Sequence, residues 1–267
     1  MRYACGINGA ETFNAAVDLA CQAEEAGWDG FFLPDGISIG TYPLFDPWVV
    51  MGAIAARTKR IRFGTMITPV SRRRPWKLAR ECVTVDQLSA GRLILAVGMG
   101  AAADDGGFTK VGEATDLKVR AKRVDEGLEI LNGLWKGKPY SFSGEHYRVD
   151  NMVMVPRPLQ KPRIPIWVVG VWDKPKSMHR ALDWDGIIPQ KFRDWHPLSA
   201  DDIRKVRDYV AKHRQGKGPF EIICGGSTGG KQSKRVSEIV RPFIDAGATW
   251  WVEPDPSLER IRQGPPI

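Results

Sequence analysis

Three glycine-rich stretches expose backbone that could meet a flat or anionic ligand: Gly98-Met99-Gly100, Gly170, and Gly225-Gly226-Ser227-Thr228-Gly229-Gly230. Glycine lets N–H groups approach a ring or a phosphate closely. Each stretch alone also reads as a tight turn. Arg72-Arg73-Arg74 could pair with a phosphate or a carboxylate tail, or stay solvated as most arginines do. Asp35, followed by Gly36, offers a carboxylate that could orient a ring or substrate. It could equally be a cap or turn residue. Trp172, two residues past Gly170, could wall off a ring or pack under its loop.

Other chemistries lack their residues. Cys5, Cys21, Cys82 and Cys224 are far apart and form no Cys/His cluster, which argues against a metal site or a disulfide framework. The histidines His146, His179, His196 and His213 avoid the strand ends, so a Ser-His-Asp site has no support. Asp104 and Asp105 read as solvated loop carboxylates.

The elements that must position these residues are legible in the pattern. Short apolar runs alternate with helical stretches from end to end, the signature of a parallel sheet covered by helices. Strands are expected at Arg2–Ile7, Gly30–Leu33, Ile61–Ile67, Arg92–Gly98, Ile164–Val169, Gly186–Ile188, Phe220–Cys224 and Thr249–Val252. Eight parallel strands close a barrel, whose chemistry sits on the loops after the strands. That places the three glycine stretches, Asp35 and Arg72–Arg74 on one face, which favours a nucleotide-like cofactor over three unrelated turns.

Helix signals agree with this reading. Asp46-Pro47 reads as an N-cap with proline at the first helical position. Pro75–Leu88 stops at Ser89-Ala90-Gly91, and Ser233–Ala246 stops at Gly247. Val124, Leu128, Leu131 and Trp135 recur at helical spacing. Residues Gly137–Pro165 break the rhythm: alternation at Tyr140–Val149 predicts a hairpin, and prolines follow. The expected fold is therefore an α/β (β/α)8 barrel, one domain over residues 1–267, with a short insertion between the fourth helix and fifth strand.

The length of 267 residues suits such a barrel, and 43% hydrophobic residues exclude a disordered chain. No apolar run reaches the roughly 18 residues of a membrane span, and the start lacks a secretory h-region. A cytoplasmic protein is expected. The net charge of +8 suits an anionic ligand, but the basic residues form no long run and no nucleic-acid module.

Asp46–Pro69 (DPWVVMGAIAARTKRIRFGTMITP) and Leu78–Gly100 (LARECVTVDQLSAGRLILAVGMG) resemble the luciferase-like flavin-dependent monooxygenases and deazaflavin-dependent oxidoreductases. Ala23–Asp35, Gly127–Gly137 and Pro156–Gly170 extend the likeness over nearly the whole chain, and Asp86–Arg92 is its most specific segment. The resemblance implies a barrel holding FMN or the deazaflavin coenzyme F420, in a protein that forms homodimers. It implies that Thr65 and Met66 flank the ring, near a non-proline cis peptide found in many members. Gly98, Met99 and Gly100 would contact the ring or ribityl chain, and Gly170, Val171 and Trp172 the phosphate end. Two departures stand out: Gly36 and Ala101 occupy positions where many members carry histidine and glutamate.

The expected function is a flavin- or deazaflavin-dependent oxidoreductase acting on a small organic substrate, as a monooxygenase or by hydride transfer. Asp35 is the polar catalytic candidate. Arg72–Arg74, with Arg73 as a cofactor contact, and Lys174 suit an extended anionic tail, which favours the deazaflavin. Two alternatives stay open: a non-catalytic flavin-binding barrel, and a cofactor-free barrel isomerase or lyase using Gly225–Gly230 for phosphate.

Overall fold

The computed structural model describes residues 1–41, 43–100, 107–172, 174–192, 197–228 and 234–266, side chains 234–237 excepted. Eight parallel strands form a closed barrel: β1 (Arg2–Gly6), β2 (Gly30–Leu33), β3 (Arg62–Pro69), β4 (Leu93–Gly98), β7 (Ile166–Val171), β8 (Gly186–Gln190), β9 (Glu221–Gly225) and β10 (Trp250–Pro254). β1 pairs with both β2 and β10, which closes the ring. A separate two-stranded hairpin, β5 (Tyr140–Ser143) and β6 (Arg148–Met152), fills the expected insertion. The (β/α)8 architecture expected from the sequence is the one observed.

Strand composition explains the closure. Gly-Phe-Phe-Leu of β2 and Leu-Ile-Leu-Ala-Val-Gly of β4 are buried along their whole length, as strands covered on both faces must be. Ala4, Phe32, Ile94, Ala96, Trp167, Ile223, Trp250 and Val252 fill one interior cluster. A larger second cluster lies between the sheet and the helices. At Gly64 a Cβ would lie 2.1 Å from the Ile94 carbonyl oxygen, so only glycine allows β3 and β4 to approach there.

Each barrel strand leads into a helix: α1 (Phe13–Glu25), α2 (Pro47–Arg57), α3 (Pro75–Leu88), α4 (Leu117–Leu134), α5 (Pro175–Leu182), α6 (Ala200–His213), α7 (Lys234–Ala246) and α8 (Leu258–Arg262). Asp46 caps α2 through the amides of Trp48 and Val49, with Pro47 at the first helical position. Asp116 caps α4, and Ser199 with Asp202 forms a capping box on α6.

The Asp86–Arg92 segment turns out to be structural. The Arg92 guanidinium, buried, donates to the carbonyls of Ala55, Thr58, Ile61 and Ser89 and to the Thr58 hydroxyl. Asp86, also buried, accepts from the Leu159 and Gln160 amides at 2.7 and 3.3 Å. Together they lock α2, α3 and the end of the insertion near the start of β4, away from the strand ends. The insertion is also held by Glu126 of α4, whose buried carboxylate accepts the amides of Glu145, His146 and Tyr147.

Five strands extend past their expected ends, β3 to Pro69, β7 to Val171, β8 to Gln190, β9 to Gly225 and β10 to Pro254. Gly170 and Val171 are therefore strand residues, in register with Pro189 and Gln190. β3 carries a register shift against β4 between Thr65 and Thr68, and the Met66–Ile67 peptide is cis. Among the described residues no helix is long and apolar enough to cross a membrane.

Candidate functional site

The C-terminal ends of β3, β4, β7, β8, β9 and β10 surround a cleft of about 610 Å³. Of the residues expected at a cofactor, Met66, Gly98, Met99, Gly100 and Val171 line it. Alternation along the strands brings in Ile67, Val169, Ile188, Ile223 and Val252, so its walls are largely apolar. Gly225 and Gly226 add bare backbone from β9. A concave, mostly apolar cavity of this size with few polar groups is the usual form of a small-molecule or cofactor site.

The backbone after β4 is fixed from behind. Arg120 of α4 is completely buried, and its guanidinium donates to the carbonyls of Met99 and Gly100. It lies 3.9 Å from the Phe108 ring centroid. The Ser71 hydroxyl donates to the same Met99 carbonyl at 3.1 Å. Gly100 has φ +76°, the left-handed region that favours glycine. Sequence reasoning missed Arg120; its one signal is a charged residue on the helix that follows the glycine turn.

Five expected site residues lie elsewhere. Thr65 is buried away from the cleft, with its hydroxyl 2.5 Å from that of Thr68. At Gly170 a Cβ would meet Ile187 at 2.5 Å and the Met178 sulfur at 3.2 Å. This glycine makes room for α5, and its neighbours Val169 and Val171 face the cleft. Trp172 packs edge-on against Tyr209 at 6.2 Å. The Val171 amide donates to the Ser177 hydroxyl and the Trp172 amide to the Gln190 carbonyl. Those two donors are thus occupied within the fold rather than open to a phosphate.

Asp35 and Arg73 are the other two. The Asp35 carboxylate accepts from Arg72 Nη2 at 2.9 Å and from Arg73 Nη2 and Nε at 2.7 and 3.1 Å. Its side chain is 2% exposed. Burial lowers the Arg72 pKa, with the Asp35 charge opposing. For Arg73, burial is outweighed by Asp35 and the pKa is raised. This cluster borders a second pocket with Phe45 and Glu113, separate from the main cleft. Asp35 therefore ties the end of β2 to the loop after β3, and both expected roles, acid/base and tail contact, lose their free groups. Ala101, Asp104, Asp105, His196, Gly229 and Gly230 lie outside the described residues.

The polar groups that do reach the cleft come from the end of β8. Gln190 and Lys191 line it beside Phe192. The loop position after this strand pointed there, but no residue type singled out Lys191. Its ammonium pairs with Asp202 at 3.0 Å. Burial alone would raise the Asp202 pKa, but the Ser199 amide and hydroxyl and the Lys191 charge lower it to about 2. Cys224 also lines the cleft, and burial pushes its thiol up to about 12, so it stays protonated. Among the described lining residues there is no carboxylate and no imidazole. Among the described residues no group of side chains could hold a metal ion.

Comparison with known proteins converges on the same architecture. An F420-dependent glucose-6-phosphate dehydrogenase of Nakamurella multipartita is 34% identical over 158 residues, 57% of this chain and 44% of that protein. The enzyme of the same name from Nocardia farcinica is 36% identical over 138 residues, 49% of this chain and 40% of that protein. These matches span less than half the length of either relative. In fold, the chain superimposes on an F420-dependent secondary alcohol dehydrogenase bound to an F420–acetone adduct, with TM-score 0.80, 17% identity, and 98% and 96% of the two chains covered. A coenzyme F420-dependent tetrahydromethanopterin reductase of Methanopyrus kandleri gives TM-score 0.77, 15% identity and the same coverage. At such identities the likeness is one of fold. The sequence profile of the luciferase-like monooxygenases matches residues 2–257. With this match over residues 2–257 and the closed barrel in agreement, the chain belongs to the luciferase-like monooxygenase family.

Proposed function

We propose that the protein is a flavin- or deazaflavin-dependent oxidoreductase acting on a small organic substrate, with the deazaflavin F420 favoured over FMN. The observation that carries this is the apolar cleft at the strand ends, backed by glycine on β4 and β9. Its residues fit an isoalloxazine-type ring: Met66, Val171 and Ile188 offer apolar surface, and Gly98 and Gly100 let backbone approach closely. When bound, such a group supplies hydride or oxygen chemistry, and the protein supplies position and dryness. Arg120 holds the turn after β4, the aliphatic walls exclude water, and Lys191, paired with Asp202, sets one ammonium group at the edge of the cleft. Support for F420 comes from the names of the curated relatives. Lys174 adds to it: its ammonium lies 4.7 Å from the centroid of Phe192, a ring at the cleft, and suits an anionic tail.

Titration of the purified protein with F420 and with FMN, followed by quenching of cofactor fluorescence, separates the two. F420 is expected to bind more tightly. Failure of both to bind below roughly millimolar overturns the proposal. The absence of carboxylate and imidazole from the described lining favours one further reading, a barrel that binds the cofactor without turning it over. Reduction of any member of an aldehyde, alcohol and enone panel removes that reading. The same proposal takes residues 1–267 as one domain, places the protein in the cytoplasm in keeping with its four free thiols, and makes it a homodimer.

A further inference from the structure

On the far side of Ser71 from the cleft lies a separate polar pocket of about 170 Å³, between the loop after β3, α4 and the turn of the hairpin. That is the space of about five or six waters at about 30 Å³ each. Arg72, Arg73, Arg74, Arg123, His146 and Tyr147 line it, and Glu113 is the one carboxylate among its lining residues.

Asp35 holds Arg72 and Arg73, but the other basic side chains there are poorly satisfied from within the fold. Arg74 is the N-cap residue of α3 but makes no side-chain cap bond. Among the described residues no carboxylate pairs with it. Arg123 reaches the Ser71 carbonyl and Glu113 at 3.4 Å each, long for charge-assisted bonds. His146 Nε2 is buried without a hydrogen-bond partner, and the Glu145 carboxylate stops 3.9 Å away. A buried polar atom without a partner calls for a missing one.

From these three incomplete donors we infer that the pocket binds a small tetrahedral oxyanion, either free phosphate or the phosphate end of a small monoester. Oxygens of such an ion would bridge the Arg74 and Arg123 guanidiniums and accept from His146 Nε2. A planar arginine fork suits phosphate geometry. The site is separate from the cofactor cleft and adjoins the Asp35 cluster: Arg72 and Arg73 line both pockets, and Asp35 holds those two guanidiniums while Arg74, Arg123 and His146 face the ion.

The test is calorimetric titration of the full chain with sodium phosphate in a low-salt buffer, with sodium chloride as the control for screening. One saturable site is expected. Arg74→Gln and Arg123→Gln should each weaken it by about tenfold or more, the scale of one charge-assisted hydrogen bond, and Lys191→Gln in the cofactor cleft should leave it unchanged. The ¹⁵N resonance of His146 Nε2, assigned with His146→Gln, should move during the same titration of the wild-type protein. Heat no greater than chloride gives, Arg variants that bind like wild type, loss of binding in Lys191→Gln, or an unmoved His146 resonance overturns the inference. Tighter binding of glycerol 3-phosphate than of phosphate assigns the site to a monoester, and the reverse order assigns it to the free ion.

Discussion

At the scale of single residues, the position of a carboxylate relative to the cleft matters less than what already holds it. Asp35 follows a barrel strand, where catalytic groups of this fold belong. Two guanidiniums nevertheless occupy both of its oxygens. Removing one partner of such a buried pair leaves uncompensated charge, at a cost of about 3–5 kcal/mol. Asp35→Asn should therefore lower the unfolding free energy by about 3 kcal/mol in urea denaturation. Cofactor affinity of the folded fraction should stay within about threefold, well under one hydrogen bond's worth. Full stability with lost turnover would instead return Asp35 to catalysis. The sequence showed the residue type and its strand end, but not the arginines 37 and 38 positions later that close on it. Arg120 was hidden for the same reason: a buried arginine on a helix looks like any surface arginine until the turn it supports is known.

At the scale of elements, apolar periodicity and caps were enough to locate the eight strands and the hairpin. Strand ends were harder to read. The ladder between β7 and β8 continues through Gly170–Pro189 and Val171–Gln190, and pairing between strands distant in sequence leaves no local mark. That two-residue extension decides which of Gly170, Val171 and Trp172 faces the cleft. The hairpin depends on Glu126, which reaches back to it from α4. Burial raises the Glu126 pKa, but three amide hydrogen bonds and the nearby His146 outweigh burial and hold it below its usual 4.5. A depressed carboxylate contributes stability that is complete above its unfolded value and lost as pH falls through the lower folded value. Glu126→Gln should cost about 1–3 kcal/mol at pH 7, the range for a buried acceptor left poorly matched. The gap to wild type should narrow as urea melts are repeated from pH 5 downward. A gap independent of pH would mean that the charge contributes nothing.

At the scale of the whole molecule, the barrel closes where β10 meets β1, and a buried ion pair sits at that seam. Glu253 at the end of β10 accepts from Arg260 of α8 at 2.9 and 3.1 Å and from the Thr228 hydroxyl at 2.7 Å. Arg260 in turn lies 4.9 Å from the Trp28 ring centroid. The loop after β9, which borders the cleft, is thus tied to the last helix and the first turn of the barrel. Glu253→Gln should shift the urea midpoint down by the equivalent of about 3 kcal/mol, and the double variant Glu253→Met with Arg260→Met should lose less, since no lone charge stays buried. Equal losses in both would show that packing rather than charge holds the seam. The interior beneath the cleft has a consequence of another kind. Trp167 and Trp250 stand with ring centroids 5.0 Å apart, in the cluster that Met66, Ile67 and Val169 cover from the cleft side. An indole pair one side chain below a chromophore is a built-in energy-transfer donor. Any ligand absorbing where tryptophan emits would darken the protein's own ultraviolet emission as it settled onto the barrel, so occupancy could be followed without a label.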